Sequence, residues 1–183
     1  NPYNSGSYLY NAKGAIAKIE NLKITSRPIY SIYNLGTVDV ANSILTSRII
    51  NVETGIMNLT NTSVKNLSNS FREVTNSGSG EINIDGGEYN VPVNNSSTGT
   101  INIKSGTINN SVTNSSTGTI NIGTKDGNVI KESPLISTTS TTISNVSGTF
   151  NFYDGTIKGS PAIYGSISEI EDNNDLIKEK EDN

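Results

Sequence analysis

The nine residues Asn95 to Ile103, NSSTGTINI, return unchanged as Asn114 to Ile122. An identical block that comes back after so short an interval means that one supersecondary unit is stacked on copies of itself, so the chain is expected to fold as a repeat. With the glycine of each such block as reference, matching glycines stand at Gly36, Gly55, Gly80, Gly99, Gly118 and Gly148. Three of the five intervals between them are equal, and those ending at Gly80 and Gly148 are longer. The basic unit is therefore about 19 residues, with two insertions.

Two residues after each glycine come Val38, Met57, Ile82, Ile101, Ile120 and Phe150, and two further on come Val40, Leu59, Ile84, Ile103, Ile122 and Phe152. The residues between them are mostly polar, and a period of two is the signature of a strand with one buried face. Further along each unit stands another apolar column, Leu45, Val64, Tyr89, Ile108 and Ile157, preceded in several units by a second glycine where the chain turns. A third inward position, later still in the unit, holds Ile49, Val93 and Val112 but meets Ser68 and Pro161 in other units, so the third side is expected to be less regular.

Two or three short strands in one turn cannot bury their apolar faces alone. Stacking the turns pairs each strand in parallel with its equivalent one turn away, about 4.8 Å along the axis. The predicted fold is all-β, a single-stranded parallel β-helix of about 19 residues per turn. A right-handed winding is expected, because left-handed β-helices keep a strict hexapeptide spacing that this period does not fit. Asn51, Asn76, Asn95 and Asn114 all stand at the same short distance before a reference glycine, which predicts an internal or corner asparagine ladder that satisfies turn backbone groups.

A hydrophobic content of 32% would be low for a compact globule, but a long, thin core needs only a few inward side chains per turn. The 183 residues allow one domain of about seven to eight turns, roughly 35 Å tall. Residues 1–35 read as an N-terminal cap and a degenerate first turn, with Ile19, Leu22 and Ile24 inward or, alternatively, with a capping helix over 12–22. Positions 1–13 do not match the repeat. Residues 36–168 carry the regular turns, with insertions near 66–75 and 123–140, and 169–183 read as an exit strand and a charged tail leading towards another module. A net charge of −4 argues against nucleic acid, no apolar run is long enough to span a membrane, and the missing initiator Met points to a trimmed or mature fragment.

The segment Gly148 to Asp172, with its FYDGTIKG string, and the GTINI turns resemble uncharacterised cell-surface repeat proteins of Gram-positive bacteria. More broadly the chain resembles the pectate-lyase-like parallel β-helix superfamily, which includes polysaccharide lyases and hydrolases, adhesins and phage tail proteins. That resemblance implies an extracellular or bacterial cell-surface setting.

An enzyme of that kind needs acids clustered on adjacent turns, for calcium or as an acid and base pair. Counting from the reference glycines sets Asp85 and Lys104 one turn apart, which reads as an exposed ladder ion pair. Asp154 and Lys158, near Tyr153, also lack a second carboxylate in the aligned turns. There is no His, and the nonapeptide calcium repeat is missing. No catalytic residue, metal or cofactor is therefore expected.

Asp85, Lys104, Tyr89, Tyr153, Asp154 and Lys158 remain as a candidate glycan or ligand surface along the parallel sheet. The outward Thr-x-Asn columns resemble those of ice-binding solenoids, although Ile56 and Glu81 interrupt them. The expected function is a non-enzymatic stalk or adhesin segment, monomeric, with host or cell-wall glycans or proteins as partners. The alternatives are a polysaccharide-binding or polysaccharide-degrading module, a phage tail-fibre segment and an ice-binding solenoid.

Overall fold

The computed structural model describes residues 6–25, 29–66, 72–124 and 133–166, together with the backbone of 168–169 and 176–179. It is an all-β parallel solenoid of about 7 turns and about 20 residues per turn, with no α-helix among the described residues. The chain passes through three walls in each turn. The first wall stacks eight strands, from Ser7–Asn11 and Tyr30–Asn34 through Val93–Asn95 and Val112–Asn114 to Ile163–Gly165. The second runs from Ile16–Glu20 through Thr37–Ala41, Ile56–Thr60, Glu81–Tyr89, Thr100–Ile108, Thr119–Ile122 and Thr149–Phe152 to Ser168–Glu169. A narrower third wall is made by Ile44–Leu45, Ser63–Val64, the ends of the two long strands Glu81–Tyr89 and Thr100–Ile108, Leu135–Ser137, Thr156–Gly159 and Leu176–Glu179.

Alternation along each strand carries the register. Val38, Met57, Ile82, Ile101, Ile120 and Phe150 pair in succession, as do Val40, Leu59, Ile84, Ile103, Ile122 and Phe152, and all are buried. The reference glycines sit where neighbouring turns approach closely. A Cβ on Gly118 would collide with both the Asn95 amide nitrogen and the Gly99 carbonyl oxygen, so no side chain is tolerated there. Gly87, at φ +94°, lets the strand Glu81–Tyr89 bend from the second wall into the third.

Two expectations need correction, and the choice left open over residues 12–22 is resolved in favour of the degenerate first turn. The third inward column is as regular as the others: Ile32, Ile49, Val74, Val93, Val112, Ile143 and Ile163 pair in order. Counting forward from Gly55 meets Ser68 because extra residues precede the strand; Val74, counted back from Gly80, takes the place. The opening of the chain does not stand outside the repeat, since Ser7–Asn11 pairs in parallel with Tyr30–Asn34 and Leu9 continues that same column. Residues 16–20 form a strand rather than a helix, because Ala17 and Ile19 alternate inward against Val38 and Val40.

The insertions are narrower than the period suggests. Val74–Asn76 and Leu135–Ser137 belong to the walls, and Ile136 fills the column between Ile108 and Ile157. Residues 67–71 and 125–132 of those insertions lie outside the described residues, as does most of the tail.

The asparagine ladder is present at the corner after the first wall and extends beyond the four positions that the spacing marks. Asn11, Asn34, Asn51, Asn76, Asn95, Asn114 and Asn145 pair in order, all buried. Each Nδ2 donates across the corner, as from Asn51 to the Gly55 carbonyl (2.7 Å) and from Asn95 to those of Gly99 (2.9 Å) and Thr119 (3.2 Å). Amide-to-amide bonds join Asn11 to Asn34, Asn34 to Asn51, Asn51 to Asn76 and Asn114 to Asn145. The acceptor oxygens of Asn95 and Asn114 are buried without a partner, so the amide-to-amide chain lapses in the central turns while its links to the backbone continue.

Candidate functional site

The broadest regular surface is the outer face of the second wall. Strand alternation sets Thr37, Ile56, Glu81, Thr100, Thr119 and Thr149 in one outward column, and Asp39, Asn58, Asn83, Asn102, Asn121 and Asn151 in the next. The second column is a hydrogen-bonded chain. Asn151 donates to Asn121 (2.8 Å), Asn121 to Asn102 (2.7 Å), Asn102 to Asn83 (2.8 Å), Asn83 to Asn58 (2.9 Å) and Asn58 to the Asp39 carboxylate (2.7 Å). All the amides point the same way and the chain ends on an anion, an arrangement in which each bond polarises the next. Glu81 joins from the neighbouring column by accepting a second Asn102 proton at 2.7 Å.

The structure separates the candidate residues named from sequence. Asp85 is exposed, but its partner is Ser105 rather than Lys104: the register shifts after Ile84, and Ser105 Oγ donates to Asp85 Oδ1 at 2.8 Å. Lys104 is exposed and makes no ion pair with Asp85, because the shift turns Ser105 inward and leaves Lys104 out of line. Tyr89 cannot serve a surface. It is fully buried in the column between Val64 and Ile108, and its hydroxyl has no partner. Burial pushes its phenol above the ordinary range, and the Asp85 carboxylate adds to the shift.

Tyr153 is half-buried, and its backbone N–H donates to the Ile122 carbonyl. Asp154 is also half-buried and accepts from Ser133 Oγ at 2.5 Å, with Gly123 packed against its backbone. Lys158 is exposed, in register with Ser137. Asp85 and Asp154 belong to turns three steps apart, about 14 Å along the axis. An acid and base pair for glycoside cleavage requires about 5 to 10 Å. Among the described residues no three acids, histidines or cysteines gather in a metal-binding group.

A different cluster escapes the sequence reading. On the outer side of the first wall, Arg48 Nη2 is ion-paired to the buried Glu73 carboxylate, and the guanidinium lies 5.7 Å from the centre of the Tyr30 ring. Tyr30 meets Tyr33 edge-on at 5.5 Å, and Tyr33 stacks on Tyr10 at 5.6 Å. Stacked and edge-on rings with a cation over one face are favourable geometries that fix these side chains. The available signal is density: Tyr3, Tyr8, Tyr10, Tyr30 and Tyr33 are five of the eight tyrosines. With Tyr10 set outside the repeat, nothing in the spacing places it above Tyr33.

Comparison with protein families, with curated proteins and with solved structures found no match.

Proposed function

We propose that this chain is a non-enzymatic solenoid segment of a bacterial cell-surface protein, a stalk or adhesin that holds a long polar face in fixed geometry. The observation that carries the reading is the pairing of a continuous parallel stack with dispersed ionisable groups. Ladders of backbone and amide hydrogen bonds run the length of the described turns, while none of Asp85, Lys104, Asp154 and Lys158 is ion-paired with another. Such a body transmits position and presents surface, and among the described residues Asp85 and Asp154 stand about 14 Å apart along the axis, too far to act as a pair.

The outer asparagine chain favours glycan binding as a second reading. A primary amide has two N–H donors and a carbonyl oxygen with two lone pairs. Asn58, Asn83, Asn121 and Asn151 each spend one N–H on the rung before, which leaves the other for hydroxyl-rich ligands along the flat face. A glycan-array screen, run beside reducing-end release from whichever glycans bind, tests both readings. Binding without cleavage supports an adhesin, cleavage overturns the non-enzymatic assignment, and silence in both leaves a stalk.

A further inference from the structure

The outer asparagine chain has a spacing as well as a chemistry. From Ile56–Thr60 to Thr149–Phe152 the second wall pairs in parallel with asparagine against asparagine, so a new rung of side chains stands about every 4.8 Å along the axis. Asn58, Asn83, Asn102, Asn121 and Asn151 are five such rungs over about 19 Å. The amides of Asn83, Asn102 and Asn121 each accept from one neighbour and donate to the other, which fixes their orientation before any ligand arrives. Asn102 spends both its N–H groups, the second on Glu81, while the other four keep one each. Thr100, Thr119 and Thr149 stand two residues before their asparagines in the adjoining outward column, about 7 Å away, and a hydroxyl can both donate and accept. Asp39 and Glu81 are the only charged residues of the two columns between Thr37 and Asn151, and both are acids.

We infer that this face takes a neutral, extended, β-linked polysaccharide lying along the solenoid axis with one sugar to each turn, an inference that rests on the glycan-binding reading above. The period selects the polymer. A chain whose glycosidic bonds leave every pyranose ring equatorially runs straight and advances by close to one strand spacing per sugar, so successive hydroxyls meet successive rungs. The α-linked isomer coils and falls out of step within a few sugars. Charge selects against acidic polymers, because Asp39 and Glu81 repel a carboxylate or sulfate while they can accept hydrogen bonds from neutral hydroxyls. Donors fixed in a row also favour length. Each added sugar gains a contact at a rung that is already ordered, whereas a lone sugar meets a single rung and is held weakly.

Calorimetric titration of the chain with cello-oligosaccharides and N-acetylchito-oligosaccharides from dimer to hexamer, beside malto-oligosaccharides of the same lengths, tests this directly. Affinity should climb with each added sugar in at least one β-linked series, level off at about five sugars, and stay undetectable in the α-linked series. Equal affinity for the malto-oligosaccharides, affinity independent of length, or binding confined to other glycans of the array overturns the axial match and leaves the glycan reading standing. Silence across the whole array removes that reading and this inference with it. Asn121→Ala should lower affinity for the β-linked hexamer about fivefold, the worth of one hydrogen bond, with melting little changed. Thr113→Val, on the outer side of the first wall, should leave binding as it is. No loss at Asn121, or an equal loss at Thr113, puts the ligand on another face and overturns the inference.

Discussion

Two stacks of asparagine run up this molecule, one buried at a corner and one on an outer face, and they do different work. The inner stack donates to the carbonyls of the corner it fills and of the next turn, as Asn51 does to Gly55 and Glu81. The outer stack from Asn58 to Asn151 donates to its own neighbours, to Asp39 and to Glu81, and satisfies no backbone. The same amide therefore holds the fold in one place and decorates it in the other. Burial decides which, because a polar group lost from the interior leaves its partners without water to replace it.

Substitution along both stacks would break or sharpen this contrast. Asn51→Ala removes the donor to Gly55 and Glu81 and strands its amide neighbours Asn34 and Asn76, so urea unfolding should show a loss of about 3 kcal/mol. Asn95→Ala should cost less, about 2 kcal/mol, because the Asn95 oxygen already lacks a partner; equal losses at the two sites would show that amide-to-amide bonds add nothing.

Tyr89→Phe is the interior counter-example, a buried hydroxyl with no ladder to join, and should raise stability by about 1 kcal/mol in the same assay. Its raised phenol also sets a pH signature. The native pKa lies above that of the unfolded chain, so the associated stability is complete below about pH 10 and is lost as pH climbs towards the native value. Stability should fall less steeply above about pH 10 in Tyr89→Phe than in the parent chain, and identical slopes would place this hydroxyl in contact with solvent.

On the outer face, Asn102→Ala should cost about 0.5 to 1 kcal/mol, and a loss matching that at Asn51 would make the outer stack structural after all. Lys104→Ala should leave the urea midpoint within error, since the residue is exposed and has no ionic partner among the described residues.

Much of the fold was legible because the repeat puts equivalent residues at equal spacing. Ile101 and Ile120, or Asn95 and Asn114, announce their columns by period alone. Legibility failed where a residue count and a strand register part company. Counting matches Lys104 to Asp85, but the register shift gives that place to Ser105. Val74 escapes the count because the extra residues of its turn come before the strand. Asn11, Asn34 and Asn145 belong to the inner ladder although they stand at other distances from their neighbouring glycines.

The candidate surface suffered most. Tyr89 fits both an inward column and a ligand face by sequence, and only its complete burial decides between them. The tyrosine and arginine cluster draws Tyr10, Tyr33, Arg48 and Glu73 from four successive strands of the first wall or their margins, which no local pattern could bring together.

By itself, then, the sequence determined the period, the strands, the inward columns and the existence of a corner asparagine ladder. These follow from local alternation and from repetition, which act within one turn and are copied to the next. The tertiary structure alone decided which residue faces which across turns, where the register shifts and how the first described residues join the stack. Those properties arise only when a strand must share hydrogen bonds and core volume with neighbours distant in the chain.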